Sequence, residues 1–218
     1  MELLDGEPRF GPWRPRRIVS VLNDLGVLDD LGRPHVVAVD GRGGGGKTTA
    51  AERIAARVPG AAVVHTDDVA WKHAMFDWAE LMAEGVLRPV RRGEAVTFRP
   101  PAWDARQRPG AVVVPAACPL VVVEGVEIGR RDLANLVDAL VWMHIDLDVA
   151  RPRALVRDGG GAAEEAFWDE WQAEERPFLA ADRPWERADL VVDGAPAVPY
   201  DPVTELVVSD GGVRSPLP

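Results

Sequence analysis

The sequence predicts an α/β fold: three layers around a five-stranded, mostly parallel sheet. Three observations carry this. Short, solid apolar runs recur at residues 35–39, 61–65, 120–123, 140–145 and 189–192. Segments of helical periodicity lie between them, and a glycine cluster follows the first run. A strand covered on both faces is apolar at every position rather than at alternate ones. Solid runs separated by helices therefore point to a parallel sheet buried on both sides.

Residues 1–14 are polar and proline-bearing and read as a loose lead-in, and residues 16–31 have helical spacing up to the stop Gly32-Arg33-Pro34. Residues 1–34 thus form a lead-in and helix before the main body, residues 35–194. His35-Val36-Val37-Ala38-Val39 is the first strand and ends at Asp40 and the glycines. Residues 48–58 are helical and stop at Pro59-Gly60. Ala61-Ala62-Val63-Val64-His65 is the second strand. The spacing of Trp71, Met75, Trp78, Leu81 and Met82 predicts a helix over residues 71–87. Residues 88–114, rich in Pro, Gly and Arg, read as a small substrate-side insertion, either a β-hairpin excursion or a long loop. The third strand, Leu120-Val121-Val122-Val123, runs into Glu124-Gly125. A short helix over 131–138 precedes the fourth strand. Helices over 149–156 and 164–181 flank Asp158-Gly159-Gly160-Gly161, and the fifth strand follows. The tail, residues 195–218, is Pro-rich, with a candidate edge strand at 204–208.

At 218 residues, one domain is the economical reading. The longest apolar stretch, residues 111–123, is interrupted by two prolines, whereas a membrane-spanning helix needs about 20 apolar residues. The first residues lack the basic and apolar regions of a secretion signal, and Cys118 has no second cysteine to pair with. The expectation is a cytoplasmic protein without a membrane partner. Thirty-five acids against 25 bases give a net charge of −10, which argues against the basic footprint of a nucleic-acid binder. Of those 25 bases only Lys47 and Lys72 are lysines; all the others are arginine.

Gly41-Arg42-Gly43-Gly44-Gly45-Gly46-Lys47-Thr48 fits G-x-x-x-x-G-K-[ST] between a strand and a helix. Glycines let backbone N–H groups approach a phosphate without an intervening side chain, and the helix that follows aims its N-terminal dipole at the same anion. Composition alone predicts roughly 0.0007 chance matches, so the motif is read as a phosphate loop. Gly41, Gly43, Gly44, Gly45, Gly46, Lys47, Thr48 and Thr49 are the candidate ATP-binding residues. Lys47 can reach the β- and γ-phosphates and Thr48 can ligate Mg²⁺. A GTP-binding switch would need N-K-x-D, but neither Asn23 nor Asn135 precedes a lysine, and the H-R-D of eukaryotic-type protein kinases is missing.

The other features resemble the uridine kinase and phosphoribulokinase group of P-loop kinases, in the expected order. His65-Thr66-Asp67-Asp68-Val69-Ala70-Trp71 is similar to its D-[SD]-F-Y segment, with Val69-Ala70 where the family has aromatics. Pro101-Ala102-Trp103-Asp104-Ala105-Arg106-Gln107-Arg108 resembles its P-x-Y-D-x-x-x-x-R. Val121-Val122-Val123-Glu124-Gly125-Val126 resembles V-x-x-E-G-I, Arg153-Ala154-Leu155-Val156-Arg157-Asp158 the R-x-x-x-R-D of its lid, and Arg187-Ala188-Asp189-Leu190-Val191-Val192 the closing A-D-[VL]-[IV]-[IV]. The resemblance covers residues 35–194 and implies a P-loop fold with a lid over residues 148–165.

Asp67, at the carboxyl end of a strand, is the candidate base for an acceptor hydroxyl, the role the resemblance gives it; capping the next helix is the alternative. Glu124 ends a buried strand and is the candidate second Mg²⁺ ligand, the alternative being a solvated strand end. Arg153 and Arg157 share a helical face before the glycines and could close on the phosphates, or form a solvated basic face. Trp103, Asp104 and Arg108 are candidate acceptor-binding residues, since an aromatic face and a carboxylate can hold a sugar or base. The resemblance implies an ATP- and Mg²⁺-dependent kinase acting on a small-molecule hydroxyl, with uridine or cytidine as default acceptor. Pantothenate, a sugar phosphate or a specialised metabolite remain open, as do a cytidylate kinase, a non-catalytic ATP-binding regulatory or chaperone-like protein, and a homo-oligomer.

Overall fold

The computed structural model describes residues 3, 4, 6–73 and 75–210. Residues 1, 2 and 5 of the lead-in, residue 74 and residues 211–218 of the tail lie outside the described residues. The chain begins β1 (Trp13–Arg17), α1 (Ile18–Asp24), β2 (His35–Gly41), α2 (Lys47–Ala55), β3 (Ala62–His65) and α3 (Thr66–Ala70). Helix α4 (Ala79–Met82) then passes through a π-helical turn (Ala83–Leu87) into α5 (Arg88–Arg91). Next come β4 (Val96–Phe98), α6 (Pro101–Ala105), β5 (Val112–Val114) and β6 (Leu120–Glu124). A 3₁₀ turn (Arg131–Leu136), β7 (Ala139–His144), α7 (Leu147–Asp158), α8 (Ala162–Asp182), β8 (Leu190–Asp193) and β9 (Glu205–Ser209) complete it.

Among the described residues, seven strands form one sheet in the order β1-β9-β8-β7-β2-β6-β3. The five expected strands form its parallel part, with Val37 of β2 beside Val122 of β6 and Ala139 of β7. Their solid apolar runs serve two cores. Val36, Ala38, Val121, Val123 and Trp142 face one core with Met82 and Leu179, while Val37, Val39, Val122 and Val141 face the other with Leu22 and Ile54. Helices on both faces keep the middle of these strands apolar, and the polar residues they do carry, His35, Asp40, His65, Glu124, His144 and Asp193, stand at or next to strand ends.

Strands β9 and β1 extend the sheet antiparallel beyond β8. The segment at 204–208 is therefore an inner strand, with β1 outside it. Strand β1 also replaces the start of the helix expected from residue 16. Its Pro15 lacks an N–H, which an edge strand tolerates. The expected helix over 71–87 begins only at Ala79, because Trp71 turns out of α3 (ψ 118) and Lys72 takes a φ of 55. That helix runs on to Arg91, and its widened turn precedes Pro89, whose ring and missing N–H do not fit a regular helix interior. Within residues 88–114, β4 and β5 pair as the hairpin, with α6 between them.

From β2 the chain goes through α2 to β3 and β6 on one side, then crosses to β7 and β8 on the other. The carboxyl end of β2 is therefore the point of reversal, where open α/β sheets place ligands. Asp40, fully buried there, accepts from the backbone N–H groups of Gly41 (2.7 Å), Glu127 (2.8 Å) and Gly129 (3.0 Å). It thereby ties the start of the phosphate loop to the loop after β6. Burial pushes Asp40 up to about 6 despite these bonds.

The expected loose lead-in is instead a buried prop. The Glu7 carboxylate accepts from Trp142 Nε1 at 3.2 Å, His144 Nδ1 at 2.9 Å and the Arg42 guanidinium inside the phosphate loop. Burial pushes Glu7 up, but His144 and Arg42 outweigh it and hold it below the usual carboxylate range. Glu7→Gln removes the negative charge from this buried pair, a change that costs about 3 kcal/mol or more. The melting temperature is expected to fall by at least about 6 °C; an unchanged melt would refute the prop.

Glu127 is also fully buried, at a φ of 67, with Arg130 at 3.5 Å and its Oε1 without a hydrogen-bond partner among the described residues. Burial, opposed by Arg130 and reinforced by Asp40, pushes it from 4.5 up to about 9. The folded chain thus holds this proton more tightly than the unfolded chain. Stability from this group is full below 4.5 and declines with rising pH until about 9, by at most about 1.4 kcal/mol per pH unit. Glu127→Gln removes that slope, so its melting temperature should gain on the wild type between about pH 5 and pH 8. Parallel melting profiles for the two proteins would contradict the assignment.

Candidate active site

The phosphate loop leaves β2 between three backbone segments that permit no side chain. A Cβ on Gly41 would lie 2.7 Å from the Met143 carbonyl oxygen. One on Gly44, at φ 73, would lie 2.3 Å from that of Ala150 in α7. Gly46 caps α2 without a side-chain bond, so the first N–H groups of the helix face the loop's concavity, where an anion can take them. Gly41 forms the turn out of the strand, while Gly43, Gly44, Gly45, Gly46, Lys47, Thr48 and Thr49 line a cleft of about 610 Å³.

Lys47 is buried, and its Nζ donates to the Arg42 carbonyl at 2.8 Å. Burial pushes it below the usual lysine range, while Glu175, Glu124, Asp40 and Asp67 pull the other way. The ammonium is thus held in place by the loop backbone and the surrounding carboxylates. Glu175 of α8, 1% exposed, has one carboxylate oxygen without a partner among the described residues, and burial raises its pKa.

Glu124, at the end of β6, accepts from Thr48 Oγ1 at 3.0 Å and His65 Nδ1 at 2.6 Å. Burial raises it, but His65 and Lys47 outweigh that and hold it below the usual carboxylate range; the same bond to Glu124 raises His65. A hydroxyl and a carboxylate oxygen meeting at one point suit a hard divalent cation. Mg²⁺ commonly takes one or two protein oxygens and completes its shell with phosphates and water. Among the described residues no group of three or more His, Cys, Asp or Glu could hold a metal alone.

Asp67 lies in the first turn of α3 and lines the same cleft. So do Arg153 and Arg157 of α7. Arg153 donates to the Gly194 carbonyl at 2.7 Å, and Arg157 grips its neighbour Asp158 at 2.7 and 2.9 Å. Gly159 has φ 107, and nothing lies within 4 Å of where its side chain would be, so the link from α7 to α8 has open space around it.

Trp103, Asp104 and Arg108 do not line the cleft. Trp103 is buried and donates from Nε1 to the Asp68 carbonyl at 2.8 Å, while Arg108 pairs with the Asp68 carboxylate at 2.5 Å and lies 3.8 Å over the Trp103 ring. Asp104 is exposed and pairs with Arg99 at 2.7 Å. Trp103 and Arg108 are a bracket behind α3: they hold Asp68 on one side of the helix while Asp67 faces the cleft from the same turn. The cleft's own wall was not singled out in the sequence. It is made by Trp71, Trp78, Phe167, Trp168 and Trp171, with Lys72 and His73. Half of the eight tryptophans thus serve this wall. The signal that could have pointed there is Lys72, one of only two lysines.

No protein-family model and no curated protein sequence matches the chain. Among solved structures, the provisionally assigned fructose transport system kinase of Silicibacter sp. TM1040 is similar over 79% of this chain and 95% of its own, with a TM-score of 0.57 and 21% identity. A provisionally assigned uridine kinase of Bacillus stearothermophilus matches over 80% of this chain and 96% of its own, with a TM-score of 0.49 and 16% identity. At such identity the first likeness is one of architecture. With the glycine loop at the carboxyl end of β2, it makes this chain a mostly parallel α/β protein of P-loop NTPase-like fold.

Proposed function

We propose that the protein is an ATP-dependent kinase that transfers a γ-phosphate to a hydroxyl of a small molecule. The observation that carries this reading is convergence: Lys47, Thr48, Glu124 and Asp67, set by the ends of β2, β3 and β6, line one cleft. The first of these can neutralise phosphate oxygens, and the last can take a proton. An ATP-binding protein without transfer chemistry would need one carboxylate for Mg²⁺, the place of Glu124, but not a second such as Asp67.

Thr48 and Glu124 would hold Mg²⁺, which when bound supplies positive charge to the terminal phosphate oxygens. The chain's residues do the rest. Loop N–H groups and Lys47 position the triphosphate. Asp67 accepts the acceptor's proton as its oxygen bonds to the γ-phosphorus, while the bond from that phosphorus to the bridging β-phosphate oxygen breaks and ADP leaves. Arg153 and Arg157 sit on α7, whose glycine link would let them swing onto the developing charge. A nucleoside, as the resemblance implies, and a sugar, as the name of the Silicibacter neighbour implies, both fall in this acceptor class. No helix among the described residues is long and apolar enough to cross a membrane, and we place the reaction in the cytoplasm.

Lys47→Ala should abolish most turnover, by about a hundredfold or more, and weaken Mg·ATP binding in calorimetry. Wild-type turnover in this variant would remove the phosphate-loop assignment. Asp67→Asn should keep Mg·ATP affinity within about threefold but lower kcat by roughly a hundredfold or more. Full activity would move the base elsewhere. Both are read as ADP release over a panel of nucleosides, sugars and vitamins.

A further inference from the structure

Arginine supplies all the basic residues of this chain except Lys47 and Lys72, and both of these lysines line the same cleft. The phosphate loop accounts for Lys47. Lys72 has a different setting. It stands just past α3 at a φ of 55, a left-handed conformation that a residue with a side chain adopts only at an energetic cost and that clusters at functional sites. It is exposed and makes no hydrogen bond or ion pair with the described residues. The other cleft cations are engaged: Lys47 on the Arg42 carbonyl, Arg153 on that of Gly194, and Arg157 on Asp158.

The wall beside Lys72 is aromatic. Phe167 is 51% exposed and tilts against Trp171 at 6.2 Å, and Trp71 and Trp78 continue the surface. An aromatic wall with one exposed ring, together with an ammonium that has no partner among the described residues, complements a molecule with an apolar or flat body and a negatively charged end. A neutral polyol would leave the ammonium unused. Lysine also suits one compact anionic group approached from several directions, where arginine would demand a fixed fork.

We propose that the acceptor carries an anionic group, a carboxylate or a phosphate monoester, that Lys72 binds while the reacting hydroxyl faces Asp67. This deepens the kinase reading and rests on it for the reaction, though not for the binding. Asp67 lies in the first turn of α3 and Lys72 two residues beyond its end, and the Asp68–Arg108–Trp103 bracket fixes the helix between them. The backbone positions of base and ammonium thereby stand five residues apart on one short segment, so the pair selects by length as well as by charge.

The test uses matched acceptors that differ only in the charged group: pantothenate against panthenol, and fructose 6-phosphate against fructose. ADP release and tryptophan fluorescence titration, the latter with a non-hydrolysable ATP analogue and Mg²⁺, are run on wild type, Lys72→Met and Lys72→Arg. An anionic member should exceed its neutral partner by at least tenfold in kcat/KM or affinity. Lys72→Met should erase that preference through KM or Kd with kcat little changed, and Lys72→Arg should restore part of it. The pantothenate and fructose 6-phosphate arms separate carboxylate from phosphate. Anion binding that Lys72→Met abolishes, without ADP release from any acceptor, upholds the anion site and overturns the kinase reading instead. Equal response to charged and neutral members in both measurements, or a Lys72→Met preference equal to that of wild type, overturns the proposal.

Discussion

Close backbone approach at the head of β2 governs the rest of the molecule. The loop from Gly41 to Gly46 is wedged between the end of β7, the start of α7 and the segment after β8, with no room for a Cβ at Gly41 or Gly44. Sterics, more than any hydrogen bond, set this arrangement. A glycine loop this tightly enclosed cannot drift, so its N–H groups stay aimed at one volume, and preorganised donors lose less on binding an anion. The parallel sheet, with both faces covered, supplies the rigid frame that holds those three segments together.

Charge is distributed around that frame in two layers. The inner layer is buried and mutually compensated: Lys47 among Glu175, Glu124 and Asp40, and Arg42 on Glu7, with the exposed Asp67 adding its charge from the cleft side. Groups of this kind are costly to bury singly and persist because each has an opposite charge nearby. The outer layer, Arg153, Arg157 and Lys72, is exposed and sits on segments bounded by turns. In the proposed kinase the inner charges fix where a phosphate tail would lie, and the outer ones would meet the acceptor brought to it.

The parallel part of the fold was legible because its signals are local. Solid apolar runs, the glycine motif and the strand-end acids Asp67 and Glu124 each sit within a few residues. What escaped depends on distant partners. Glu7 reads as a polar residue in a loose segment until Trp142, His144 and Arg42 close around it from three other places in the chain. Strand β1 was hidden because its pattern includes proline and arginine, which only an edge position accepts. Trp103, Asp104 and Arg108 were expected to bind the acceptor, but spacing alone could not tell the front of α3 from its back, and none of the three lines the cleft. The aromatic wall was obscured for a related reason: Trp71 and Met75 match a helical stripe, yet the chain unwinds there and turns both into the cleft.

The pairing of β1 with β9 links the two ends of the described chain. Gly11 N–H donates to Ser209 Oγ at 3.1 Å and Asp210 N–H to the Pro12 carbonyl at 3.1 Å, close to where Glu7 reaches Arg42. During synthesis the opening segment must therefore wait for β9 to leave the ribosome before it can settle. A nascent chain could assemble the parallel sheet early, yet it would acquire a fully braced glycine loop only once β9 has been made.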